Sequence, residues 1–115
     1  HAVRFMPHVA AFFRGISLTV SLRLVEPASP EWLLERYRAF YAGEPRVRVS
    51  DDIPQVRDVQ GGPDCHLGGF TVDPRDPRRV TLVAVLDNLL KGAASQALQN
   101  LNLALGLDES LGLES

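Results

Sequence analysis

Apolar and polar residues alternate strictly from Ile16 to Leu24 in the stretch Ile16 to Val25. Ile16, Leu18, Val20, Leu22 and Leu24 fall on one side, and Ser17, Thr19, Ser21 and Arg23 on the other. That two-residue repeat predicts a strand with one face on a core. Its second face is polar but mostly uncharged, which suits subunit contact as well as water. Val80, Leu82, Ala84 and Leu86 alternate with Thr81, Val83 and Val85 in a second strand, Arg79 to Leu86, apolar on both faces and so expected to be central. Leu67 to Val72 predicts its neighbour, joined through the turn Asp73-Pro74-Arg75-Asp76-Pro77. Val3 to Met6, closed by Pro7, and Arg46 to Ser50 are shorter strand candidates.

Two stretches carry a helical repeat instead. Ser29-Pro30-Glu31 supplies a cap, a first-turn proline and a carboxylate at the positive end of the dipole. Leu33, Tyr37, Phe40 and Tyr41 are the expected buried face, and Gly43 the stop. The second helix opens on Asp87-Asn88 and closes at Gly106, with Leu90, Ala94, Ala97, Leu98, Leu101 and Leu105 in one apolar stripe. Between Gly92 and Leu107 no residue is charged; the polar positions are Ser95, Gln96, Gln99, Asn100 and Asn102. A solvated face normally carries Lys and Glu, so the pattern predicts an interface helix, with a partner layer that need not belong to this chain. The order of elements implies one α+β domain over 1–115, a mostly antiparallel sheet with a helix on one face. From Asp51 to Asp64 the chain reads as a long polar loop, and loops of that length are functional or disordered.

Composition narrows the function. Twelve cationic against fourteen acidic side chains leave a net charge of −2, which gives no reason to expect nucleic acid. No apolar run reaches membrane-spanning length, and the first residues do not form a secretory signal. A lone cysteine excludes an internal disulfide and a metal cluster; a reducing, cytoplasmic setting is expected. The chain opens at His1 without an initiator Met, as a fragment or processed product would.

No self-contained catalytic set is present. Arg14, entering the long strand, either pairs with a carboxylate or holds an anionic substrate through its bidentate fork. His8 is a lone histidine beside an apolar run. Cys65 adjoins His66, but sequence neighbours seldom form a nucleophile–base pair, and no helix start follows to lower the thiol pKa. Asn88 and Lys91 stand near a helix N-terminus, where free N–H groups favour an anion or a carboxamide, or simply form a cap and a surface lysine.

Phe5-Met6-Pro7-His8, Arg14-Gly15-Ile16, Gly43-Glu44-Pro45, Cys65-His66-Leu67-Gly68, Asp87-Asn88-Leu89-Leu90-Lys91-Gly92-Ala93-Ala94-Ser95-Gln96-Ala97 and Leu107-Asp108-Glu109-Ser110-Leu111-Gly112-Leu113 together resemble the C-terminal part of the N-acetyl-gamma-glutamyl-phosphate reductases. The aminoadipyl-phosphate reductases of lysine biosynthesis share the Asp-Asn-Leu-x-Lys-Gly-Ala-Ala helix, but Pro7-His8 favours the glutamyl branch. The resemblance implies a C-terminal domain like that of glyceraldehyde-3-phosphate dehydrogenase. It also implies a two-domain, NADP-dependent enzyme of arginine biosynthesis that reduces N-acetyl-glutamyl phosphate through a cysteine thioester. The dinucleotide fold, the nucleophilic cysteine and its partner histidine would all lie upstream.

By the same resemblance Arg14 and His8 would line the substrate pocket, and Asn88, Lys91 and Gly92 would meet the nicotinamide side of the cofactor. The segment 88–105 would face the N-terminal dinucleotide-binding domain, and the intact protein would be a homo-oligomer, dimer or tetramer. Cys65 matches a family cysteine outside the chemistry. The segment before it, Gly61-Gly62-Pro63-Asp64, departs from the family's usual Gly-Ser-Asn-Tyr, so a role for that asparagine is not carried over. A freestanding, non-catalytic ligand-binding or dimerisation module is the alternative of another class; its mark would be a self-sufficient core and a helix face wetted by solvent.

Overall fold

The computed structural model describes residues 3–113. A four-stranded sheet carries the fold, in the order β1-β4-β3-β2, with β1 Ile16–Arg23, β2 Val47–Val49, β3 Cys65–Asp73 and β4 Asp76–Leu86. β1 and β3 flank β4 antiparallel, while β2 runs parallel to β3, so the sheet is mixed. Two helices complete it, α1 Pro30–Phe40 and α2 Ser95–Ala104. The α+β class and the two-sided burial of the central strand match the periodicity.

Register decides which residues share a face. Ile16, Leu18, Val20 and Leu22 stand opposite Leu86, Ala84, Leu82 and Val80, and Leu67 opposite Ala84. On that side α1 lies over the sheet, with Leu33, Leu67, Phe70, Val80 and Leu82 as the buried cluster. Phe70 reaches it only because β3 carries a bulge: the pairing slips between Gly68 and Thr71, and Gly69 takes φ +62°. That left-handed backbone costs a glycine little, and the extra residue returns Phe70 to the side of Leu67. Gly68 points to the opposite side, where a Cβ would run into the carbonyls of Ser50 and Asp52 and into Pro54. The 51–64 loop therefore packs on the face away from α1, pinned by a 3-10 turn at Val56–Asp58 and by buried Val59, rather than running free.

Helix α1 begins as its sequence dictates, with Ser29 Oγ accepting from the Trp32 N–H at 3.1 Å and Pro30 in the first turn. Leu33, Tyr37 and Tyr41 form its inner stripe, the Tyr37 ring 5.0 Å from that of Phe70. Phe40, expected inside, is 78% exposed: it lies one position off the i, i+4 row and turns its ring to Tyr41.

Other expectations need correction. Val3 to Met6 forms no strand; the segment to Phe13 is irregular and exposed. The hairpin strands extend further than expected, leaving Pro74-Arg75 as the loop, and Pro77 falls inside β4 near its start, where its carbonyl accepts the Ala28 N–H. The β1 face expected on the core is only partly covered: Ile16, Leu18 and Leu22 remain 42–47% exposed, because α1 packs mainly towards β3 and β2.

The uncharged amide face of the second helix does lie against another layer of protein, but that layer belongs to this chain, and Ser95, Gln99 and Asn102 are buried at 4–6% exposure. The open side carries Ala97, Leu101 and Leu105. Among the described residues no helix is long and apolar enough to cross a membrane.

The buried cluster sets a stability expectation. Leu33→Ala leaves a cavity between α1 and the sheet and should cost about 2–5 kcal/mol, whereas exposed Glu35→Ala should stay within about 0.5 kcal/mol. Urea titrations of the two variants check both; equal costs would show that α1 does not pack as described.

Candidate functional site

Where β4 ends, the chain leaves the sheet on a carboxylate. Asp87 is fully buried, and a buried charge survives only when it is paired and hydrogen-bonded. Its Oδ1 accepts from Arg14 Nη2 at 2.7 Å and from the N–H groups of Leu89 and Leu90 at 2.9 and 3.0 Å. Its Oδ2 accepts the Gly61 N–H at 2.8 Å and lies 2.6 Å from Arg14 Nε. Burial by itself would raise the pKa of this carboxyl; the Arg14 fork and the three backbone donors outweigh it and hold Asp87 far below the ordinary carboxylate range.

Arg14 is held at more than its guanidinium. Gln60 Nε2 donates to the Arg14 carbonyl at 2.6 Å, and Asn88 Oδ1 accepts the N–H of the next residue, Gly15, at 2.8 Å. The fold thus brings Arg14 and Asn88, 74 positions apart in sequence, to one place at the end of the sheet. Its pairing with Asp87 leaves Arg14 about a quarter exposed, and its remaining guanidinium hydrogens stay available to an anion. The Asn88 amide keeps its NH2 group for an acceptor.

Immediately after Asn88 the backbone widens. Gly92, Ala94 and Ser95 donate to the carbonyls of Asp87, Leu89 and Leu90, five residues back, so Leu90–Ala94 is a π turn that feeds α2. Such turns are frequent at functional sites. A Cβ on Gly92 would lie 3.2 Å from Leu86 Cδ1, so the position favours glycine. Lys91 Nζ donates to Gln99 Oε1 at 2.7 Å, and Gln99 Nε2 donates to Glu109 Oε2 at 2.7 Å. Burial pushes the Lys91 pKa down, against the opposing pull of the Cys65, Asp64 and Glu109 charges.

His8 shares no hydrogen bond with this cluster among the described residues and is exposed in the irregular segment. Cys65 is half-buried at the start of β3; burial raises its pKa, the opposite of what a nucleophile needs, with Lys91 pulling weakly the other way. Among the described residues no group of three His, Cys, Asp or Glu side chains is arranged to hold a metal. Sequence reasoning missed the roles of Gln60 and Gly61, two loop residues without a pattern, and treated Asp87 only as a cap. The signal for Asp87 was available: a carboxylate ending a strand that is apolar on both faces has to be buried and paired.

Solved aspartate-semialdehyde dehydrogenases share this fold. A probable aspartate-semialdehyde dehydrogenase from Pseudomonas aeruginosa superposes with a TM-score of 0.68 at 31% identity, over 81% of this chain and 28% of that one. Aspartate semialdehyde dehydrogenase II from Vibrio cholerae gives 0.66 at 26% identity, over 82% and 28%. Residues 1–88 match the family model of the semialdehyde dehydrogenase dimerisation domain, and the chain belongs to that family.

Closer in sequence stand the N-acetyl-gamma-glutamyl-phosphate reductases of Stenotrophomonas maltophilia, 56% identical over 108 residues (94% of this chain), and Xanthomonas campestris pv. campestris, 54% over 107 (93%); each match covers 34% of the relative. The "Bifunctional protein argC, mitochondrial" of Dictyostelium discoideum is 46% identical over 98% of this chain and 13% of its own length. The chain therefore spans about a third of the bacterial relatives it matches.

Since the Asp87 pKa is depressed on folding, its contribution to stability is present above the ordinary carboxylate range and falls away as pH drops towards the depressed value. Asp87→Asn should cost about 3–5 kcal/mol at pH 7 by orphaning Arg14, and the loss should shrink on acidification. Denaturant titrations at pH 7 and pH 3 test this; a cost that does not depend on pH would contradict the charged pairing.

Proposed function

We propose that this chain is the substrate-binding and dimerisation portion of an NADPH-dependent reductase that converts N-acetyl-glutamyl 5-phosphate to N-acetyl-glutamate 5-semialdehyde, a step of arginine biosynthesis. The observation that carries the reading is the 50–56% identity to N-acetyl-gamma-glutamyl-phosphate reductases over 93–96% of the chain. That identity supports the glutamyl over the aminoadipyl substrate.

Reducing an acyl phosphate takes a thiolate to displace phosphate, a base to form it, and a dinucleotide to supply hydride. Cys65 does not meet the first need, because its environment favours the thiol. The described residues hold no glycine-rich strand-turn-helix for the dinucleotide. Both functions are assigned to the remaining length of the enzyme, and the fragment by itself is inactive. Its share of the work is binding: Arg14 for an anionic group of the substrate, exposed His8 at the pocket margin, and the Asn88 NH2 for the carboxamide of the nicotinamide. Lys91 and Gly92 shape the turn beneath that ring, and the leucine side of α2 (segment 88–105) faces the dinucleotide-binding domain. The cytoplasm suits the free thiol of Cys65.

Self-association belongs to the same reading and is supported by the family's description as a dimerisation domain. Ser17, Thr19 and Ser21 are uncharged and exposed on β1, and a partner subunit is assigned to that face. In the full-length enzyme Thr19→Lys should break the oligomer in light scattering; an unchanged mass would exclude this face. Lys91→Ala should alter the kinetics with the cofactor, and should also lower the melting temperature somewhat by orphaning the buried Gln99 Oε1; a melting loss with unchanged kinetics would exclude the cofactor role. The fragment by itself should show no phosphate-dependent NADP+ reduction with N-acetyl-glutamate semialdehyde, and turnover abolished by alkylating Cys65 would overturn the assignment.

A further inference from the structure

The 51–64 loop has no part in the chemistry above, yet its tip touches the site at two points. Gln60 donates to the Arg14 carbonyl at 2.6 Å, and the next residue, Gly61, donates its N–H to Asp87 Oδ2 at 2.8 Å. Both bonds converge on the pair Arg14–Asp87, one on the backbone of the arginine and the other on the carboxylate that orients its side chain. With Asn88 on the Gly15 N–H, the main chain on both sides of the Arg14–Gly15 peptide is fixed by side chains from distant elements. Gln60 is exposed, and a single hydrogen bond from an exposed amide contributes little to folding. What it does restrict is where Cα of Arg14 sits, and with it the direction of a guanidinium whose other end Asp87 already holds. A bidentate donor recognises an oxyanion only when its plane is correctly aimed.

We infer that Gln60 and Asp87 are positioning residues, the loop tip clipping Arg14 so that its free guanidinium edge is presented to the anionic group of the substrate. The inference rests on the reading of Arg14 as a substrate ligand. Neither residue touches the substrate; both act through Arg14. The hydrogen-bonding requirement also explains a feature of the sequence: Gln60 supplies a side-chain donor, and Gly61, at φ +80°, turns its N–H towards Asp87.

The test compares three variants of the full-length enzyme, with steady-state kinetics for the acyl substrate and for NADP+ and with thermal melting. Gln60→Ala should raise KM for the acyl substrate about three- to tenfold, the value of one hydrogen bond, with kcat, KM for NADP+ and melting temperature close to wild type. Asp87→Asn should raise the same KM further and also lower the melting temperature. Arg14→Gln should raise it at least as much as either. If Arg14→Gln raises KM and Gln60→Ala does not, the positioning role is overturned while the ligand role of Arg14 stands. If Arg14→Gln leaves KM unchanged, both fall. A Gln60→Ala enzyme that loses melting temperature without a change in KM assigns the loop tip to stability alone and overturns the inference.

Discussion

A carboxylate that cannot reach water organises this domain. Asp87 ends the central strand inside the protein, and every oxygen lone pair it has must be answered from elsewhere in the chain. The answers come from the residue entering the first strand, from a loop between the second and third strands, and from the first turn after the fourth. Three separate stretches are thus tied to one side chain. Removing Asp87 would leave a guanidinium and three backbone donors facing a low-dielectric pocket, which is why such pairs resist piecemeal change.

The π turn follows from the same requirement. The carbonyl of Asp87 accepts from Gly92 while its carboxylate accepts from Leu89 and Leu90, so one residue caps the turn from both its main chain and its side chain. Beyond it α2 turns amides, not leucines, towards Lys91 and the tail that follows the helix. Gln99 bridges Lys91 and Glu109, and Asn102 donates to the carbonyls of Glu109 and Leu111. The tail after α2 is held by these bonds together with buried Leu113. The helix thereby satisfies its polar face internally and keeps an apolar one for something else, an arrangement more common at interfaces than in monomers.

Much of this was legible from residue order, and the limits have a physical pattern. Alternation identified β1 and β4, and local chemistry identified the start of α1, because Ser29, Pro30 and Glu31 act within one turn. The resemblance carried by Asp87 to Ala97 located the family. What stayed hidden depends on contacts between distant residues. Periodicity states which side chains share a face but not which element covers it, so the layer against the amide face of α2 was not located in this chain and the apolar row of β1 was assigned more cover than it has. The bulge at Gly69 and the parallel pairing of the three-residue β2 leave no local trace. Nor does a loop glutamine reveal that it reaches an arginine 46 positions earlier.

Strand order has a consequence for synthesis. Of the four strands β1 is made first, yet among the described residues it pairs with β4 alone, Ile16 opposite Leu86. At about 5–20 residues per second, the 70 positions between them take roughly 4–14 s to translate. For that interval a strand with Ile16, Leu18, Val20 and Leu22 on one side lacks the mate it has in this sheet. The helix α1 and the β3 half of the sheet can associate before β4 is complete, but β1 cannot be placed, nor Arg14 neutralised, until Asp87 has emerged. The domain therefore closes late, and a nascent chain stalled before that aspartate would present an uncovered apolar strand to chaperones.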